Sequence, residues 1–168
     1  APSDLRSKHI RAKTSYVPED PQDLYNFISK TVDHYKDSVK VWEFLNEPLW
    51  TICAMPDKET AKVFDLHGGD YTITDYVSLL KEAYKTIKSI DENNLVIGGI
   101  SADPLKYSKE FIEAGGLEYI DIYNVHKYGG EDQGQGPGRV PPEKFIDSMK
   151  ELVEMMQNAG AKAKPIWI

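Results

Sequence analysis

The stretch Val41-Trp42-Glu43-Phe44-Leu45-Asn46-Glu47-Pro48 decides how this chain is read. Val39 to Leu45 is rich in β-branched and aromatic residues, the composition of a strand. The run then ends in an amide and a carboxylate, and Pro48 has no N–H to continue a ladder. A buried strand gains little stability from two polar residues at its tip. It gains a chemical use if that tip aims a proton donor and a hydrogen-bonding amide into a cleft.

Outward from this strand, helices and strands alternate. Upstream, Asp20 can cap a helix with Pro21 in its first position, and Leu24, Phe27, Ile28, Thr31 and Tyr35 fall on one face. Downstream, a long loop spans 49–72. Thr74 is then a suitable cap for a helix striped by Tyr76, Leu80, Ala83, Ile87 and Ile90. Asp91 to Asn94 is a turn cluster, and Leu95 to Ile100 is apolar throughout, as a strand covered on both faces should be. Asp103-Pro104 opens a short helix that Gly115-Gly116 closes. Tyr119 to Val125 is a third strand, ending in His126-Lys127-Tyr128. A glycine-rich loop (129–138) leads to a helix from about Pro141, with the stripe Phe145, Met149, Leu152 and Met156 and a stop at Gly160. Pro165 to Ile168 begins a fourth strand.

This alternation implies parallel βαβ units joined by right-handed crossovers. In such folds reactive groups sit at the C-terminal ends of the strands. Glu47 and His126 both occupy such ends. His126 and Tyr128, two residues apart, point to the same side of a regular strand. Trp50, three residues beyond Glu47, offers an aromatic face on which an apolar C–H surface of a ligand could stack, with loop packing as the alternative. Glu43 could pair inside the sheet or tune Glu47; it is assigned no catalytic role.

Asn46-Glu47-Pro48 after a buried strand resembles the acid/base signature of the clan A glycoside hydrolases, with families 39 and 5 nearest. These are (β/α)8 barrels that cleave sugar–sugar bonds with two glutamates. The resemblance implies an α/β chain that is part of a TIM (β/α)8 barrel, because four strands cannot close a barrel of about 250 residues. Residues 1–168 would form one partial catalytic domain, about strands four to seven. Asn46-Glu47 would then end strand four, Leu95 to Ile100 would be strand five, Tyr119 to Val125 strand six, and Pro165 to Ile168 strand seven.

The expected activity is hydrolysis of β-glycosidic bonds in oligo- or polysaccharides by a retaining double displacement. Glu47 would be the general acid/base and Asn46 a hydrogen-bond partner of the sugar 2-hydroxyl. His126 and Tyr128, matching the family's His-x-Tyr, would contact sugar hydroxyls and hold the nucleophile. That nucleophile, a glutamate after strand seven, would lie beyond Ile168. The chain is therefore expected to be a piece of a longer protein, inactive when isolated. A non-catalytic carbohydrate-binding barrel is the alternative reading. An unrelated α/β protein carrying Asn-Glu-Pro by chance would leave Glu47 and His126 far apart.

Composition narrows the partners. A net charge of −7 argues against a nucleic-acid backbone as ligand. No apolar run approaches the ~18–20 residues of a membrane span. Cys53 is alone, and His9, His34 and His67 show no ligand spacing with His126, so no metal is expected. The glycines after Gly129 do not open a phosphate-binding helix, and no cofactor is expected. A carbohydrate substrate is the one implied partner. Oligomeric state is not legible, and both secreted and cytoplasmic locations are compatible with the chain.

Overall fold

A computed structural model describes residues 16–66, 69–101, 105, 107–126, 128–129, 139–140, 142–160 and 164–168. The helices are α1 (Pro21–Tyr35), α2 (Lys58–Val63), α3 (Ile73–Ile90), α4 (Ser108–Glu113) and α5 (Pro142–Asn158). The strands are β1 (Val41–Glu43), β2 (Leu95–Ser101), β3 (Ile122–Val125), β4 (Tyr128–Gly129), β5 (Arg139–Val140) and β6 (Ile166–Trp167). Among the described residues, four strands form one sheet in the order β1-β2-β3-β6, every pair parallel. β4 and β5 pair separately.

The order never reverses. Each crossover steps in the same direction, and right-handed connections then place the crossover helices α3, α4 and α5 on one face of the sheet. In agreement, α1 touches α3, α3 touches α4, and α4 touches α5. A doubly wound sheet would reverse its order and cover both faces. β1 and β6 each have a single strand partner among the described residues, so the sheet has two open edges.

The core lies between the sheet and this helix layer. Trp42, Phe44, Val96, Ile100, Tyr123, Val125 and Ile166 meet Val32, Tyr76, Leu80, Ala83, Ile87, Phe111, Leu152 and Met156. Burial of each large apolar side chain contributes about 1.5–3 kcal/mol. Strand alternation turns the neighbouring residues Glu43, Ile97, Ile122 and Asn124 to the opposite face.

Several elements depart from the sequence reading. The cap of α3 is Thr72, not Thr74: Thr72 and Asp75 form a reciprocal capping box, and Thr74 falls inside the first turn. On α1 the core contact follows Leu24, Ile28 and Val32, whereas Phe27 and Tyr35 are 66% and 50% exposed. The α1–α3 contact covers only the line of residues spaced by four. The 49–72 loop contains α2, capped by Asp57. β3 starts three residues late because Gly115, at φ 79°, turns Gly116–Tyr119 into a 3-10 turn. β1 stops at Glu43, since Leu45, at φ 59°, cannot extend a ladder. The proposed helix start at Asp103-Pro104, Pro141, Lys127, His9, His67 and the loop 130–138 lie outside the described residues.

Candidate active site

Beyond β1 the backbone enters the left-handed region at alternate residues: Leu45 (φ 59°), Glu47 (φ 50°) and Leu49 (φ 76°). For residues with a Cβ this costs about 1–2 kcal/mol each. The surroundings offset it. Leu49 is buried, its N–H donates to the Ala54 carbonyl (3.1 Å), and its own carbonyl accepts from the Asp57 N–H (2.8 Å). The Thr51 hydroxyl donates to the Glu47 carbonyl (3.0 Å) and accepts from the Cys53 N–H (3.0 Å). The Trp50 indole N–H donates to the carbonyl of Ile100 on β2 (3.1 Å). Strain is thus concentrated on the segment that carries a carboxylate, and tertiary bonds hold it there.

The neighbouring tip of β2 is irregular, with its register to β3 shifting between Gly98 and Ser101. Gly99 has φ 134°, and a Cβ there would lie 3.0 Å from the Tyr123 ring, so glycine is required. The buried Tyr76 hydroxyl serves both backbone groups of Gly99, donating to its carbonyl (3.1 Å) and accepting from its N–H (3.3 Å). Burial pushes the Tyr76 phenol well above its ordinary range. On β3, Tyr123 points to the helix layer and shares a 2.9 Å hydrogen bond with Ser108. Burial raises its phenol to about 12, against the lowering effect of that bond.

Asn124 and His126 alternate with Tyr123 and Val125 and so share the opposite side. His126 Nδ1 lies 3.1 Å from Glu47 Oε1. Its Nε2 lies 3.2 Å from Asn124 Nδ2 and 3.8 Å from Glu43 Oε1. The Asn124 amide also donates to Glu43 Oε1. One imidazole is therefore held between two carboxylates, from residues separated by 79 positions in one case. The Glu47 side chain is 16% exposed and that of His126 24%, so the pair is sheltered yet reachable from solvent. A carboxyl touching an imidazole at an open face is equipped to exchange a proton with a bound molecule.

Of the residues named from sequence, Glu47 and His126 are brought together. Asn46 is exposed at the same turn. Trp50 is half-buried, packed against the core and bonded to Ile100. Tyr128 falls in β4, and its side chain lies outside the described residues. Asn124 was missed, and Glu43 was noticed without a role. Their signal was parity: each is a polar residue facing away from the core within an otherwise apolar strand. Among the described residues no group of histidine, cysteine or carboxylate side chains could hold a metal ion. None of the described helices is long and apolar enough to cross a membrane.

No protein-family model matches the sequence, and no curated protein sequence matches it. Solved structures do. A family 39 glycoside hydrolase from Xanthomonas axonopodis pv. citri matches with a TM-score of 0.64 at 20% identity, over 92% of this chain and 30% of that one. A family 39 β-xylosidase from Caulobacter crescentus gives 0.61 at 15% identity, again over 92% and 30%. A glucosidase from Croceicoccus marinus gives 0.64 at 15% identity over the same shares. The fold is part of a (β/α)8 barrel. The chain spans about 30% of the length of these matched structures. In a barrel wall the helix-free face of the sheet turns inward, which puts Glu43, Asn124 and His126 on the interior side and Glu47 at its C-terminal rim.

Proposed function

We propose that this chain carries the acid/base half of the active site of a β-glycoside hydrolase, as approximately strands four to seven of the barrel. The observation that supports it is the 3.1 Å contact between Glu47 and His126, at the C-terminal ends of two parallel strands that another strand separates. An unrelated protein with a chance Asn-Glu-Pro has no reason to place them together. The structural neighbours are named as glycosidases, which accords with a carbohydrate substrate.

In this reading Glu47 protonates the glycosidic oxygen as the bond to the leaving group breaks. It then takes a proton from the water that attacks the glycosyl-enzyme. Asn46, exposed beside it, hydrogen-bonds the sugar 2-hydroxyl. His126 and Tyr128 line the sugar site, and Trp50 borders it. The nucleophilic carboxylate follows Ile168 in the whole protein, about 5 Å from Glu47 as retention requires. The test is Glu47→Gln in the full-length protein. Turnover of glycosides with poor leaving groups should fall about 10²–10⁴-fold, the usual worth of a positioned general acid. Activated aryl glycosides, which need no protonation to leave, should lose far less. Undiminished turnover of the poor leaving groups rejects the role.

A further inference from the structure

We infer that Glu43 and Asn124 are positioning residues that fix the proton of His126 on Nδ1, facing Glu47. The inference deepens the proposed function and rests on that reading for its catalytic meaning, but the arrangement itself is a matter of donors and acceptors. A carboxylate only accepts hydrogen bonds, and an amide nitrogen only donates them. Glu43 Oε1 accepts from Asn124 Nδ2, so the nitrogen end of the Asn124 amide faces Glu43. The reverse orientation would press the amide oxygen against a carboxylate. The same NH₂ group has a second hydrogen, and 3.2 Å away lies His126 Nε2. That nitrogen must therefore accept and carries no proton. A neutral imidazole has one N–H, so the proton sits on Nδ1 and is donated to Glu47 Oε1 at 3.1 Å.

The order of contacts matters because Glu43 is itself close enough to compete. Its Oε1 is 3.8 Å from Nε2 and would draw a proton onto that nitrogen if nothing intervened. Asn124 occupies the position between them and fills both acceptors. Glu43 and Asn124 meet across β2, the strand that separates β1 from β3. The outcome is a chain Glu43–Asn124–His126–Glu47 in which each group determines the orientation of the next. It leaves Glu47 with a fixed hydrogen-bond donor on one side, while its other oxygen has no partner among the described residues.

The test is the ¹⁵N–¹H correlation spectrum of the histidine rings in the full-length protein, with His126 assigned by the loss of its signals in His126→Gln. The expected wild-type result is a protonated Nδ1 and a bare Nε2. Glu43→Gln, whose amide oxygen can accept from Asn124, should keep that pattern. Asn124→Leu should lose it, with the proton shared between the nitrogens or moved to Nε2. A wild-type ring protonated on Nε2, or a pattern unchanged in Asn124→Leu, overturns the inference. The wild-type measurement alone decides the matter if a variant fails to fold. The tautomer is read without any turnover, so failure of Glu47→Gln to impair hydrolysis would remove the proposed function while leaving this result standing.

Discussion

The two ends of the sheet hold their charges in opposite ways. At the N-terminal end, Asp121 bonds the Val96 N–H (2.8 Å) and pairs with Lys88 (2.9 Å), which also reaches the carbonyls of Glu92 and Asn94. Lys40 pairs with Asp91 at 2.8 Å. Asp91 and Asp121 there each face a cation. At the C-terminal end, Glu43 and Glu47 face one imidazole and one amide, with no lysine or arginine partner among the described residues, and the chain leaves β1 through three left-handed residues. One end is arranged to be satisfied. The other keeps acceptor capacity unused and backbone strain in place, which is the expected division between a stabilising and a reactive end of a barrel.

Glu47→Gln tests this division most severely. It should leave the midpoint of urea unfolding within about 1 kcal/mol of the parent, because it removes a charge from a cluster with no lysine or arginine partner among the described residues. The same change should cause the 10²–10⁴-fold loss of turnover given above. A large stability loss would make Glu47 a structural residue and erase the contrast. Asp121→Ala should do the reverse. It strips a partner from Lys88 and from the Val96 N–H, and should cost about 2–3 kcal/mol by urea denaturation. The kcat/KM of the folded fraction should not change.

Smaller effects test the links between the ends and the core. Tyr76→Phe leaves the buried N–H and carbonyl of Gly99 without their shared hydroxyl, and should cost about 1–3 kcal/mol in the same assay. Trp50→Phe removes the donor to Ile100 while retaining an aromatic ring. It should cost about 1 kcal/mol if Trp50 acts as a strut. If stacking on sugar dominates, KM rises and stability is retained.

The smallest effect concerns acid. Lys40, and then the Asn93 N–H, hold the Asp91 carboxyl down at about 2, below its ordinary 3.8. A depressed carboxylate stabilises the fold above its unfolded value, and that contribution disappears as pH falls through the folded one. The stability difference between the parent and Asp91→Asn should therefore shrink between pH 4 and pH 2. It should stay small throughout, because the pair is at the surface.

Much of this architecture is legible from periodicity. The α3 stripe from Tyr76 to Ile87 and the apolar run from Leu95 to Ile100 lie where their spacing places them, because a helix on a parallel sheet buries one continuous line. Phe27 and Tyr35 mislead because residues at i and i+3 also share a helical face, and only the partner helix decides which flank is covered. Glu47 and His126 could be picked out because each follows a strand and is conspicuous as a polar residue. Asn124 is harder to pick out, since it sits inside Ile122–Val125 and its sole signal is that it is the polar residue of an otherwise apolar strand. Its neighbour in space, Glu43, is 81 residues away, and no local pattern encodes that pairing.

The two open borders of the sheet have a practical consequence for anyone handling these 168 residues alone. Among the described residues the outer sides of β1 and β6 have no strand partner, and beside β6 Trp167 is 49% and Ile168 70% exposed. The isolated polypeptide should associate with itself as concentration rises, so it is best produced fused to a solubilising carrier and handled dilute.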